Sequence, residues 1–458
     1  MKFAKMVLAT VICAAFQGGA QAAVSAEEAK QLGANLTLFG SEKAANKDGS
    51  IPAYTGGLPT TTAPAGFVPN SGRWADPFAS EKPLYSITAD NVAKYADKLS
   101  EGMQEFIKRT PGFRVDVYPT HRSVNLPKYV LDNTVANATR AKTSNNNLVL
   151  EGAIGGIPFP IPKNGYEAMW NHLLRYAGAG QDYYARNWYV DANGKQIMAG
   201  DFHYSASWPY YHEGATAEDL KNAGGWYFKV AYNFVGPARN VGDCTLFMDN
   251  MDPIEQPRRA WGYSASTRRV RLSPDVAYDT PIATTGGVKT YDDAELFLGK
   301  MDRFDFKLVG KREVLLPYNA YKAQFFEKPD TLMGPKFVNP DAVRWELHRV
   351  WVVEAKLKPE FRHTYSKRVF YLDEDWSGAG LTEMWDGSGK LFRWGAQSMV
   401  QLYDAQVPVA KFSFQYDMST GLYSLSQEMS EGKTGIYPKG PLPQNLFKPD
   451  ALAARSGR

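Results

Sequence analysis

Fifteen residues in the second half of the chain, "VRWELHRVWVVEAKL", alternate apolar and polar for longer than an ordinary strand lasts. Val343, Trp345, Leu347, Trp351, Val353, Ala355 and Leu357 fall on one side of a period-two ribbon, interrupted by Arg349. Arg344, Glu346, His348, Glu354 and Lys356 dominate the other side. At about 3.3 Å per residue the ribbon would run about 50 Å. The usual strand has about five or six residues, so a bend or bulge is predicted within it. His348 is expected to be exposed or hydrogen-bonded there.

The same period fills the chain from about residue 183 onward. "NWYVDANGKQIMAGDFHY" reads as two strands around Asn193-Gly194, a strong hairpin signal. "GWYFKVAYNFVG" places Trp226, Phe228, Val230, Tyr232 and Phe234 on one face, and "RAWGYSASTRRVRLSP" is a further hairpin. Paired strands continue through "KRVFYLDEDWSGAGLTEMWDGSGKLFRWGAQ" and "KFSFQYDMSTGLYSLSQ". So much antiparallel sheet with one apolar face must curl or be covered. The covering helices are read elsewhere. Ser25 and Glu28 form a capping box ahead of Gly33, and a second helical region runs from Thr88 to Pro111-Gly112.

The third helix follows an unusual strap. In "GGIPFPIPKNGYEAMWNHLLRYAG", Pro158, Pro160 and Pro162 alternate with Phe159 and Ile161, fixing φ at every second residue. Asn164 is the expected N-cap, Glu167 its partner and Gly178 the stop. Tyr166, Met169, Trp170, Leu173, Leu174 and Ala177 make an apolar stripe. Such a helix either plugs one end of the curved sheet or lids a cavity there. His172, within it, reads as structural.

The chain begins with Lys2 and Lys5, an apolar run from Met6 to Phe16, and Ala20-Gln21-Ala22, which is the pattern of a cleaved secretory signal over 1–22. Cys13 sits inside that run after Ile12, unlike a lipid-attachment cysteine. Removing Lys2 and Lys5 takes the formal charge from +4 to +2. That near-balance argues against nucleic acid, which demands a strong basic excess. Cys244 is then the remaining cysteine, so no internal disulfide is expected; it reads as a packed small residue.

Reactive constellations are not recognisable. There is no GxSxG, HExxH, GxGxxG or Walker pattern, and His203 and His212 lack metal-ligand spacing. The acidic pairs Asp292-Asp293 and Glu374-Asp375 read as turns. The expectation is a protein that is not an enzyme, with no cofactor and no metal. Arg258, Arg259, Arg268, Arg269 and Arg271 cluster about a turn near Ala265, where alternate arginines would meet an anionic group or a partner surface. What remains is aromatic abundance: 26 Tyr, 24 Phe and 11 Trp, each able to bury about 150–250 Å².

Four strings, "GSEKAANKDGSIPAYTGGL", "DPFASEKPLYSITADNVAKYADKLSEG", "FRVDVYPTHRS" and "GGIPFPIPKNGYEAMWNHLLRY", closely resemble domain of unknown function 1329, whose members are often labelled outer membrane lipoprotein-sorting protein. "RRAWGYSASTRRVRLSPDVAYDTP" and "YNAYKAQ" fit as well, so the resemblance covers essentially the whole mature chain. It implies a LolA- and LolB-like fold: an incomplete, strongly curved antiparallel barrel with helices over its opening, sheltering acyl chains. It also implies company with a resistance–nodulation–division-type exporter and an outer-membrane protein, and gives no established site residues.

The expected organisation is therefore a signal peptide (1–22), a helical and extended wrap (23–150), a curved β-rich α+β domain (151–430) and an extended tail (431–458). The expected function is periplasmic binding or shuttling of a lipid, acyl chain or other apolar compound, with peripheral membrane contact. The alternative is an adaptor, carrying nothing, that links an exporter to an outer-membrane protein. The expected lining is Phe159, Met169, Trp170, Leu173, Trp226, Phe228, Tyr232, Trp345 and Trp351.

Overall fold

The computed structural model describes residues 24–457, so the expected signal peptide and its cleavage after Ala22 lie outside the described residues. Sixteen strands join in one open sheet. They are β1 (Tyr85–Ile87), β2 (Val115–Val117), β3 (Gly180–Val190), β4 (Gln196–Ser207), β5 (Trp226–Gly236), β6 (Cys244–Asn250), β7 (Arg259–Ser264) and β8 (Arg269–Leu272). The second half supplies β9 (Phe304–Pro317), β10 (Trp345–Leu357), β11 (Lys367–Asp373), β12 (Ala379–Trp385), β13 (Leu391–Gln397), β14 (Ser413–Asp417), β15 (Tyr423–Glu428) and β16 (Gly435–Lys439).

From one edge the neighbours run β9, β10, β11, β12, β13, β14, β15, β3, β4, β5, β6, β7, β8. β16 continues the pairing of β3 beyond β15. β2 touches β10 in a parallel contact between Val117 and Trp345, which makes the sheet mixed. The edges β9 and β8 do not meet, so the sheet is not a closed barrel, and the architecture is β-rich α+β. Among the described residues no helix is long and apolar enough to cross a membrane.

The long alternating ribbon is β10, and its backbone pairs without interruption against β11. The expected irregularity falls in its other neighbour: β9 carries an extra residue at Val309, which bulges outward, and Gly310 takes φ +140°. The polar side of β10 is divided: Lys356 at its far end is exposed, while its first half is buried and, at His348, hydrogen-bonded as expected. Glu346 and His348 are buried, and His348 lies between Glu346 Oε2 (3.4 Å) and Asp373 Oδ2 (3.2 Å). Here both faces of the sheet are covered, so the buried charges are paired rather than wet.

Two large cores take opposite sides of β11, Tyr371 entering one and Phe370 and Leu372 the other. One gathers Phe106 and Met103 of α2, the second of the chain's first four α-helices, α1 (Ala26–Ala29), α2 (Glu101–Arg109), α3 (Lys128–Arg140) and α4 (Gly165–Leu173), with Val350, Val352, Tyr371, Trp394, Phe414 and Tyr416. Ser100 caps α2, its side chain accepting from Met103 N. The other core gathers the strap and the plug helix.

Three local expectations change. The β3–β4 loop spans Asp191–Lys195, and only Gly194 is left-handed (φ +83°). The Asp191 carboxylate accepts from the Asn193 and Lys195 N–H groups, which makes a longer turn than Asn-Gly alone would give. β5 carries an extra residue at Tyr227, so Trp226 turns to the face opposite Phe228. The tail is not merely extended: β16 joins the sheet and a helix at Ala451–Arg455 packs Leu452 against Cys244, Leu246 and Tyr263.

An aromatic-walled hollow as the candidate binding site

Along β3, β4 and β5, tyrosines occupy matched register: Tyr183 faces Tyr204, and Tyr204 faces Tyr232. The first pair stacks at 4.5 Å between ring centroids and the second is tilted at 5.0 Å. Phe202 and Phe234 form a parallel rung at 4.5 Å, and Val230 faces Phe247 of β6. Cross-strand aromatic pairs stabilise a sheet, and here they also wall a cavity of about 250 Å³.

That cavity shows the sheet's curvature. Its lining includes Gln397 on β13, Ser413 on β14, Ser426 on β15, Tyr183 on β3, Phe202 on β4, Phe228 on β5 and Phe247 on β6. Laid flat, these seven neighbouring strands would span about 29 Å. A hollow of that volume touches all of them because the sheet bows around it.

The opposite wall is an irregular segment, residues 282–298, contributing Ile282, Ala283, Thr284, Thr285, Lys289, Tyr291, Ala294, Glu295 and Leu298. Its far part is anchored by buried charge. Arg368 takes Asp292 at 3.0 Å and Asp293 at 2.8 Å, His363 takes Asp292 at 3.0 Å, and Tyr365 donates to Asp293 at 2.6 Å. The acidic pair is therefore a buried anchor within a short helical turn.

Glu295 and Leu296 adopt left-handed backbone (φ +51° and +67°), a strained state for side-chain-bearing residues. Ion pairs of Glu295 with Arg175 and Lys411 hold it there. Burial pushes the Glu295 carboxyl up, but Lys411 and Arg175 outweigh that and hold it at about 2. The near part, Ile282 to Thr284, is partly exposed and forms the rim with Phe234 and Tyr291.

Three cations line the hollow. Arg258 is bound bidentately by Asp249, both contacts at 2.7 Å, and lies over Phe247. Lys411 pairs with Glu295 at 3.2 Å and sits over the Tyr183 ring. Lys289, only 2% exposed, donates to Ser413 Oγ (2.9 Å) and Ser426 Oγ (3.3 Å). Burial pushes its ammonium down to about 8, against the pull of Asp293 and Glu295.

A second cavity, about 420 Å³, lies under the N-terminal wrap and is polar in character. Its charges satisfy one another: Arg344 with Glu81 and Glu346, and Arg114 with Asp116 and Asp341. Among the described residues no group of three or more His, Cys, Asp or Glu is placed to hold a metal ion.

The expected lining residues disperse. Phe228, Tyr232 and Arg258 border the hollow. Trp170 and Leu173 border an adjoining cleft of about 30 Å³, and Trp351 another of about 20 Å³. Phe159 and Met169 are filled core, Trp226 packs with the tail helix, and Trp345 belongs to the core under α2.

The strap answers to packing. Asn171 of the plug helix α4 (Gly165–Leu173) accepts from Phe159 N and donates to Phe159 O, clamping the two together. Gly165 lets α4 approach β9 so closely that a Cβ would sit 2.5 Å from Phe306 O. His172 donates to Phe297 O and accepts from Ala379 N, a neutral structural role that burial enforces. The link from α4 to the hollow is Arg175, through Glu295.

The arginines likewise part. Arg259 stacks over Trp226, while Arg269 and Arg271 share the opposite face of the β7–β8 hairpin, exposed beside the left-handed Arg268. Cys244 is buried and its thiol pushed up to about 11 by that burial.

The lining that sequence reasoning missed is Tyr183, Phe202, Tyr204, Phe234 and Phe247, with Lys289, Glu295 and Lys411. Phe202, Tyr204 and Phe234 carried a signal, alternation within recognised strands, whereas Phe247 lies on β6, which was not read as a strand. The charged ones lie in irregular chain and carried none.

Fold and hollow together define a β-rich protein whose open, bowed sheet borders a cavity of about 250 Å³. The chain belongs to the family described as "Protein of unknown function (DUF1329)", whose model matches residues 86–453. An uncharacterized protein of Pseudomonas aeruginosa is 40% identical over 431 residues, covering 92% of each chain. Among solved structures, a candidate outer membrane lipoprotein-sorting protein domain from Vibrio parahaemolyticus is 16% identical, with TM-score 0.42, over 63% of this chain and 98% of that one. A DUF1329 family protein from Desulfovibrio piger is 14% identical, with TM-score 0.40, over 60% and 92%. A LolA superfamily protein from Nitrosomonas europaea is 11% identical, with TM-score 0.35, over 61% and 94%.

Proposed function

We propose that this protein binds and carries an apolar molecule in the hollow between the β3–β6 aromatic wall and segment 282–298. The observation that supports this is the hollow itself. Phe202, Tyr204, Phe228, Tyr232 and Phe247 face about 250 Å³ of open space, and the larger cavity under the N-terminal wrap is lined mainly by charged groups that pair with one another. An apolar cavity of about 150 Å³ already suffices to bind benzene. A medium-length acyl chain placing eight methylenes there gains about 6 kcal/mol gross, reduced by ordering and association costs. The N-terminal pattern over 1–22 supports a periplasmic setting, and carriage between membranes beside an exporter is the context the family resemblance implies.

Native mass spectrometry of the mature protein, purified without detergent, tests the reading. Carriage predicts a bound hydrophobic mass or uptake of added decanol with one-to-one stoichiometry. An empty protein that takes up no such compound contradicts it.

A further inference from the structure

The three cations of the hollow are unequal. Arg258 has Asp249 and Lys411 has Glu295, whereas Lys289 has hydroxyls alone. Among the described residues no carboxylate comes within 4.0 Å of its Nζ. An ammonium has three donors. Two go to Ser413 and Ser426, which leaves one donor free and the charge without a carboxylate in contact, Asp293 and Glu295 acting on it only from beyond 4.0 Å. Leaving a buried charge uncompensated is costly, and the same two serines keep their own O–H groups free to donate. Burial does lower the Lys289 pKa, yet at about 8 the side chain is still mostly protonated at pH 7. The cation, both serines and the tyrosine ladder all border one cavity.

We propose that the ligand is an amphiphile with a single anionic head, a carboxylate or phosphate monoester, that pairs with Lys289 and accepts from Ser413 and Ser426 while its chain lies along Tyr183, Tyr204 and Tyr232. This rests on the carrier reading above and assigns the chemical class of the cargo.

The test compares decanoate, decyl phosphate and decanol by isothermal titration at pH 7, on the mature protein and on Lys289→Met and Lys289→Arg. The expected result is that one or both anions bind at least tenfold tighter than decanol, and the tighter anion identifies the head. Lys289→Met should erase that preference, and Lys289→Arg should retain it. Equal binding of decanol and both anions to the unaltered protein would overturn the head-group assignment and leave carriage standing. So would an anion preference that survives in Lys289→Met. If none of the three binds the unaltered protein, carriage itself fails. The comparison on the unaltered protein decides the matter even if a variant does not fold.

Discussion

The sheet beneath α2 and the sheet beneath segment 282–298 are made of similar strands, yet the α2 side chains pack directly on the first while a hollow separates the second from its cover. Under α2, Met103, Phe106 and Ile107 reach into the sheet, and Phe106 meets Trp394 and Tyr416 at 5.5 and 4.4 Å between centroids. Over β3–β6 the near part of the cover brings Ile282, Ala283, Thr284 and Thr285, most of them too short to fill what the bowed sheet opens, and the longer Lys289, Tyr291, Glu295 and Leu298 only border the hollow. A helix delivers long side chains every turn to one face; an irregular segment of small residues does not. The difference teaches that aromatic content alone does not make a cavity. The size of the covering residues and the curvature of the wall decide it.

The largest effect expected is on the anchor of the cover. Arg368→Met leaves Asp292 and Asp293 buried without their guanidinium, which should cost about 3–5 kcal/mol in denaturant unfolding. A loss below about 1 kcal/mol would break the contrast between a pinned cover and a packed helix.

The solid side carries its own charge lock, and its test is pH. Burial alone would depress His348, but hydrogen bonds to Asp373 and Glu346 more than offset that and raise it to about 9 from 6.5. A folded value above the unfolded one gives stability that is fully present below pH 6.5 and is lost as pH rises through about 9. The size is on the order of 3 kcal/mol. His348→Asn should flatten this slope in pH-dependent unfolding. Lys289 acts in the opposite sense. Its folded value lies below the unfolded 10.5, so its cost is present at low pH and is relieved as pH rises from about 8 toward 10.5.

One enlargement made in both regions sharpens the comparison further. Val350→Phe, in the filled core, should destabilise by about 1–3 kcal/mol through overpacking. Val230→Phe projects into the hollow and should leave stability within about 0.5 kcal/mol while weakening decanol binding at least tenfold. Equal penalties would mean the hollow is no emptier than the core. The smallest effect is at Lys289→Met, where removal of an uncompensated ammonium should not lower Tm by calorimetry, because the stability lost with two hydrogen bonds is offset by the charge removed.

The sheet was legible because alternation has few other causes: β3 to β5, β7, β8 and β10 to β15 lie in runs read as strands, whereas β6, read only for Cys244, did not stand out. β9 escaped notice because Gly310-Lys311-Arg312-Glu313 breaks its pattern, although β10 pairs along its whole length. The faces were less legible. A single extra residue at Tyr227 sends Trp226 to the wrong side, and bulges have no periodic signature. Phe228 and Tyr232 stood out as candidates because they lie beyond that bulge on one face. Phe202 and Tyr204 sat in a recognised hairpin, but their pairing with Phe234 and Tyr232 depends on the register between strands, which a single strand's sequence does not encode. Lys289 looks like a solvated turn residue until the fold brings Ser413 and Ser426, more than a hundred residues away in the chain, to its Nζ.

The most direct measurement is a crystal structure of the mature protein grown with decanoate. The account predicts an alkyl chain along Tyr183, Tyr204 and Tyr232 with its carboxylate at Lys289. A hollow closed by side-chain rearrangement, or decanoate bound only elsewhere, would contradict it.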